Sequence, residues 1–490
     1  FAGTHYLNNV AVTGTSLGML ANANLYINEA MSLGGGSAFN VSATPNSVHY
    51  NRSTPQTVLS TNYHHLILSN TGAKTAGGAV TVNGNFTLAS GSTFNAGAFN
   101  HTLNGSWTNN GTFNHGSGTI TFAGSTDTSI NGETLFNTFV LNKSSMARTV
   151  TLASNVTSSN LQMTNGTMIT GVNKVTLLSN RTGNGWVIGT VTRNHTFADG
   201  VGYAFNGPYA MLSFATPVGV NEVSMTVAAQ SIGNFTAGTA ISRKYTIATP
   251  AGTYSSGTLQ LQYEDTELNG NTESALKLYN YDAGLLKWRS YGRTNQNSTQ
   301  NWVSKAGLSN ISGEWTLSSS PGTYSWVGGN SSAWENAANW QDITEGVAGA
   351  AASAPLSTDV AILGEVNPVN HPVINSAATI SSMQFRGTAA NNLTISSGSL
   401  NVLGNLTASG AGTAIVHTLT TGNNSLVVGG NLVLNDGSVG NAISLVNGTG
   451  SVTVTGNIEH PAGGSVSLGS GNLSVGGNYN YATGAAFIAG

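Results

Sequence analysis

Lys and Arg number 15 and Asp and Glu 18 in a chain of 490 residues, the net charge is -3, and there is no cysteine. Such a chain has no field to gather nucleic acid or anionic lipid, and it lacks disulfides, thiolate metal sites and cysteine nucleophiles. Disorder is excluded as well, because 39% of residues are hydrophobic and the 63 glycines punctuate β-branched segments that are poor helix formers.

Residues 1–189 read as a parallel β-solenoid. VNGNFTLASGSTF at 82–94 and LNGSWTNNGTF at 103–113 repeat with Gly84 and Gly105 in register. A longer repeat lies over this one, since 49–70 and 121–143 share a first aromatic (Tyr50, Phe122), a second (Tyr63, Phe136) and a closing leucine (Leu68, Leu141). No single segment makes a core; stacked rungs bury one another's interior and pair one another's backbone. The opening Phe1-Ala2-Gly3 matches Phe122-Ala123-Gly124, so the chain is expected to begin in mid-repeat.

Residues 190–323 carry longer alternating segments and a larger share of the charge, the pattern of an antiparallel β-sandwich. Tyr245, Tyr263, Tyr279, Trp288, Trp302 and Trp315 are its expected anchors.

Residues 324–490 form a second solenoid. Its motif asparagines, Asn405, Asn431, Asn457 and Asn478, recur behind a glycine at rung intervals between short strands such as SLVVGG and SVTVTG. Two readings of these asparagines stand side by side: ladders of amides between rungs, or residues tolerant of left-handed turns. The fold class is therefore all-β, two parallel β-solenoid (β-helix) blocks flanking an antiparallel β-sandwich.

Three groups of phrases resemble large secreted surface proteins of Bacteroidota and related bacteria, the kind exported by the type IX system with repetitive adhesin-like regions. They are WVGGNSSAWENAANW with PLSTDVAIL, the pair NYHHLILSN and LFNTFVLNK, and the central series ISRKYTI, LQLQYEDTELNG, LKLYNYDAGLLKWRSYG, NWVSKAGL and SGEWTL. The resemblance implies an extracellular or cell-surface location.

Chemistry-bearing motifs are sparse. No GxSxG occurs beside the His/Asp context a hydrolase needs, and HExxH, GxGxxG and Walker A patterns are absent. Asp436 and Glu459 are the best stacked-carboxylate pair of the second solenoid, and solvated turns explain them better than polysaccharide cleavage. His64 and His65 are expected on opposite faces of one strand, unable to share a metal. Glu264, Asp265, Glu267 and Asn269 form an oxygen-rich loop that is the one calcium candidate. Trp326, Trp334 and Trp340 are either a glycan-stacking platform or a cap on the second solenoid.

The expected role is a non-enzymatic extracellular structural protein, a subunit of a bacterial surface filament or sheath. A carbohydrate-binding adhesin stalk is the alternative, and a polysaccharide-active enzyme the third reading. Its partners are copies of itself head to tail, through Phe1 and Tyr6 at one end and Tyr479, Tyr481 and Phe487 at the other, with glycans as further ligands; nucleic acid and membrane insertion are not expected. With so few ionisable groups, stability is expected to vary little with salt or with pH between about 4 and 9.

Overall fold

A computed structural model describes residues 1–248, 251–344, 348–410, 414–435 and 440–490. Among these residues the fold is all-β; the helical elements are three short 3-10 turns, Asp265–Glu267, Glu273–Ala275 and Ala337–Asn339. The chain divides into two compact units: Phe1–Gln230 with Lys244–Gln262 and Ala306–Glu314, and Ser231–Arg243 with Tyr263–Lys305 and Trp315–Gly490.

The first unit is built on parallel ladders. One ladder climbs through Thr4–Val12, Asn24–Leu33, Ser47–Tyr50, His65–Leu68, Phe86–Leu88, Trp107–Asn109, Thr128–Asn131, Thr149–Leu152, Thr167–Leu177 and Trp186–Asn194. The shorter strands alternate inside and outside, as His65–Leu68 does with Leu66 and Leu68 buried. Rings stack along the interior where the register places them opposite: Phe86 and Trp107 are Cα partners, 4.4 Å apart and tilted by 21°. The longer sequence repeat has a geometric counterpart. Tyr50 meets Tyr63 at 6.2 Å and 79°, and Phe122 meets Phe136 at 6.1 Å and 87°, the same edge-to-face pair in both copies.

After Trp186–Asn194 the pairing direction changes. That strand pairs antiparallel with Glu222–Ala228, which pairs antiparallel with Lys244–Ile247. Met211–Ala215 likewise pairs antiparallel with Tyr203–Ala204 and Ser256–Gln262.

The second unit has an antiparallel part, in which Lys277–Asp282 lies between Lys287–Gly292 and Gly313–Ser318. Tyr279 and Trp288 are buried there with Phe235. Three parallel sheets follow. The first runs Thr323–Trp326, Val360–Leu363, Ser382–Phe385, Leu406–Ala408, Leu432–Val433, Ile458–His460 and Tyr479–Tyr481. The second ends on Ala486–Ile488 and the third on Asn472–Val475. Leu400, Leu426 and Val452 are Cα partners in successive rungs, all buried, so the core is a column of aliphatic side chains repeated rung by rung. Burying each such side chain contributes about 1.5–3 kcal/mol.

The motif asparagines are amide ladders. Asn431 N donates to Asn405 Oδ1 at 2.8 Å, Asn457 N to Asn431 Oδ1 at 2.9 Å and Asn478 N to Asn457 Oδ1 at 2.9 Å. Left-handed backbone falls on other asparagines, namely Asn22, Asn70, Asn269 and Asn301. The glycine before each motif asparagine is a steric requirement: a Cβ on Gly456 would lie 2.3 Å from Asn431 Oδ1, and one on Gly477 2.3 Å from Asn457 Oδ1. The first unit uses the same device with other acceptors, since Asn85 N donates to His65 Nδ1 at 2.9 Å, Ser106 N to Asn85 Oδ1 at 3.0 Å and Ser129 N to Ser106 Oγ at 3.1 Å.

Candidate functional site

Trp326, Trp334 and Trp340 are 0%, 4% and 1% exposed. Trp334 and Trp340 meet at 4.6 Å and 80°, and Trp326 and Trp340 at 5.1 Å and 85°. Trp326 Nε1 donates to Asn370 O and Trp340 Nε1 to Trp334 O, both at 2.8 Å. Burial leaves no indole face for a sugar to stack on, which corrects the platform expectation. The trio sits where Thr323–Trp326 pairs antiparallel with Trp340–Asp342 on one side and parallel with Val360–Leu363 on the other.

The oxygens of the calcium candidate do not converge. Glu267 turns onto Arg243, with Oε2 2.7 Å from Nε and Oε1 accepting from Nη2 at 2.8 Å, and Oε2 also accepts from Glu264 N at 2.9 Å. Asp265 Oδ1 accepts from Asn301 Nδ2 at 2.6 Å, while Asn269 donates to Ala240 O at 3.0 Å. A buried guanidinium thus takes the charge that a cation would have needed. Among the described residues no three His, Asp or Glu side chains are grouped to hold a metal ion.

His64 and His65 differ from expectation. The chain bends at His64, between Asn62–Tyr63 and His65–Leu68, and a corner breaks the strand alternation, so the two rings lie 4.3 Å apart. His65 Nδ1 already accepts from Asn85 N.

Of the assembly residues, Tyr6 is 66% exposed and stacks on Tyr26 at 4.5 Å, which stacks on His49 at 4.0 Å. Register explains this outer column, because Tyr6, Tyr26 and His49 are successive Cα partners. Phe1 packs against His5 at 4.7 Å. In the second unit Tyr479 meets Phe487 at 5.9 Å and Tyr481 at 6.4 Å, and Tyr481 and Phe487 are exposed.

A cleft opens beside these rings, lined by Asn435, Glu459, His460, Tyr479, Asn480 and Tyr481. Glu459 Oε1 accepts from Asn480 Nδ2 at 2.7 Å; His460 Nδ1 is 2.8 Å from the Tyr479 hydroxyl and Nε2 3.1 Å from Gly464 O. The arrangement offers an exposed ring, a carboxylate and amides, the groups that recognise hydroxyl-rich ligands. Asp436, the expected partner of Glu459, lies outside the described residues.

Sequence reasoning missed the buried cations. Lys74 Nζ donates to Arg52 O at 2.8 Å and Gly72 O at 2.7 Å, and Lys143 Nζ to Ala123 O at 2.7 Å. Burial lowers both lysines to about 8. Arg181 donates to the carbonyls of Gly183 and Gly185, and burial, with Arg193 nearby, lowers it to about 9. Turn carbonyls replace water around these side chains, a use that charge counting along a sequence does not reveal. No family model, curated protein or solved structure matches the chain.

Proposed function

We propose that this repetitive β-solenoid scaffold is an extracellular structural protein, a subunit of a surface filament that grows head to tail, with two solenoid blocks flanking a β-sandwich. The observation that carries the reading is the repeat itself, parallel rungs pairing backbone to backbone as Leu400, Leu426 and Val452 do, up to the rung at Asn472–Ile488. That rung continues all three parallel sheets of the second unit and carries rings, Tyr481 and Phe487 at 54% and 41% exposed, in register with the buried His460 and Val466 of the rung before. A rung pairs through backbone donors and acceptors together with apolar surface, and another rung offers the same groups in the same register. In such a filament a second copy adds its rungs to the stack, with the exposed Tyr6 ring among its contacts; a heterologous contact of this kind propagates. The buried tryptophan trio serves as a structural lid on the first parallel rung of the second unit.

Sedimentation velocity over a concentration series tests this. Wild-type chain is expected to grow into polydisperse species, and Phe487→Asp to remain a monomer with an unchanged circular dichroism spectrum. A wild-type chain that stays at 50.0 kDa at every concentration contradicts assembly. The cleft at Glu459 and Tyr481 supports a second reading, an adhesin that binds glycans. Selective glycan-array signal lost in Tyr481→Ala is its expected result, and no signal above background contradicts it.

A further inference from the structure

Lys277 and Asp359 form an ion pair wholly out of water, their side chains 1% and 0% exposed. Lys277 Nζ touches Asp359 Oδ1, and it also donates to Thr358 Oγ1 at 3.0 Å. Asp359 is held by two backbone donors, Gly322 N on Oδ1 and Leu356 N on Oδ2, each at 2.9 Å. The Tyr279 ring lies 5.9 Å from Nζ, and burial, with Asp359 nearby, pushes the Tyr324 phenol upward.

We propose that Lys277 and Asp359 join covalently, as an amide between Nζ and Cγ. The geometry has the parts that condensation needs. The amine is placed against the carboxyl, water is excluded, and both carboxyl oxygens face fixed N–H donors that hold charge as the carbon becomes tetrahedral.

The step balances without any co-reactant. An ammonium and a carboxylate enter. One proton passes from Nζ to the carboxyl, leaving a neutral amine whose lone pair attacks Cγ. The C–N bond forms, Cγ–Oδ1 breaks, and Oδ1 leaves as water with two of the three Nζ protons. Oδ2 becomes the amide carbonyl and keeps its bond from Leu356 N; the third proton stays on the amide nitrogen. Burial lowers Lys277 from its usual range, which favours the amine form that attacks. Formation of the amide also removes two buried charges and their desolvation cost.

The link would fasten Lys277–Asp282 to the segment leading into Val360–Leu363, within the second unit. In a chain without cysteine this is a covalent clasp that no reductant opens. It is independent of whether copies assemble.

Denaturing mass spectrometry of the intact chain tests it. The expected mass is below that of the sequence by about 18 Da, one water. Trypsin should then fail to cut after Lys277 and should release one branched peptide containing Lys277 and Asp359. Lys277→Met and Asp359→Ala should each restore the full mass of their own sequence. Asp359→Asn should link again with loss of ammonia, about 17 Da. Wild-type chain at its full sequence mass, with a linear peptide ending at Lys277, overturns the proposal and leaves a buried ion pair only. That wild-type measurement decides the matter even where a variant does not fold.

Discussion

Asn431 does two jobs with one side chain and one backbone group: its N–H donates to Asn405 Oδ1, and its Oδ1 accepts from Asn457 N. Asn431→Ala keeps the first bond and orphans the Asn457 N–H, so it should cost about 1–3 kcal/mol. Asn431→Asp keeps an acceptor in place and should cost less. Guanidinium unfolding of the three chains checks the order, and equal stability of alanine and asparagine at this position would remove the ladder from the energetics. The histidines correct the expectation of pH independence. Burial lowers His49 to about 4, and it lowers His64, His65, His101, His417 and His460 as well. His417 shows how: Nδ1 accepts from Asn391 N at 3.2 Å and Nε2 faces Asn441 Oδ1 at 2.8 Å, so the neutral ring satisfies both. With folded values below the unfolded value of about 6.5, the unfolded chain takes up protons first. Stability is therefore full above about 6.5 and is lost as pH falls toward about 4. Melting temperatures at pH 7.5 and 4.5 should differ by several degrees, the acid sample melting first; equal values contradict the burial of these rings.

At the scale of the rung, the glycine-asparagine step is a unit. A methyl at Gly456 meets Asn431 Oδ1 at 2.3 Å and Gly430 O at 2.7 Å, so Gly456→Ala must push two rungs apart. A cost of about 1–3 kcal/mol is expected, against near zero at Gly14, where a Cβ meets nothing within 4 Å. Paired denaturation curves check the contrast, and similar losses at both sites would contradict rung contact as the cause. Sequence periodicity made these rungs legible, because Gly-Asn recurs where each turn crosses the last and inner positions alternate with outer ones. The aromatic repeat was legible for the same reason, its Tyr50–Tyr63 and Phe122–Phe136 pairs being spaced alike along the chain. The His64 corner was not legible, since two histidines in an apolar run carry no turn signal. The tryptophan trio was visible as a cluster; its burial depends on Asn370 and Val373, which are distant in sequence.

For the whole molecule, the contacts that escaped sequence reading join residues far apart in the chain. Lys277 meets Asp359 across 82 positions, and Lys287 Nζ reaches Asp342 O at 3.1 Å across 55. No local pattern announces such pairs. What composition did make legible is that ionisable side chains are few. Among the described residues exposed pairs are few, such as Arg148 with Asp127 at 3.9 Å, and salt screens exposed pairs while leaving buried ones intact. The melting temperature should therefore move by less than about 10 °C between low salt and 1 M NaCl, and a larger fall would show that exposed pairs carry the fold. The central claim is that rungs stack within a chain and continue from one copy to the next. Diffraction from aligned filaments of the purified chain tests it most directly. The account predicts a meridional reflection near 4.8 Å along the filament axis, the spacing of hydrogen-bonded strands. A preparation that yields only monomers, or filaments whose strand spacing lies across the axis, would contradict it.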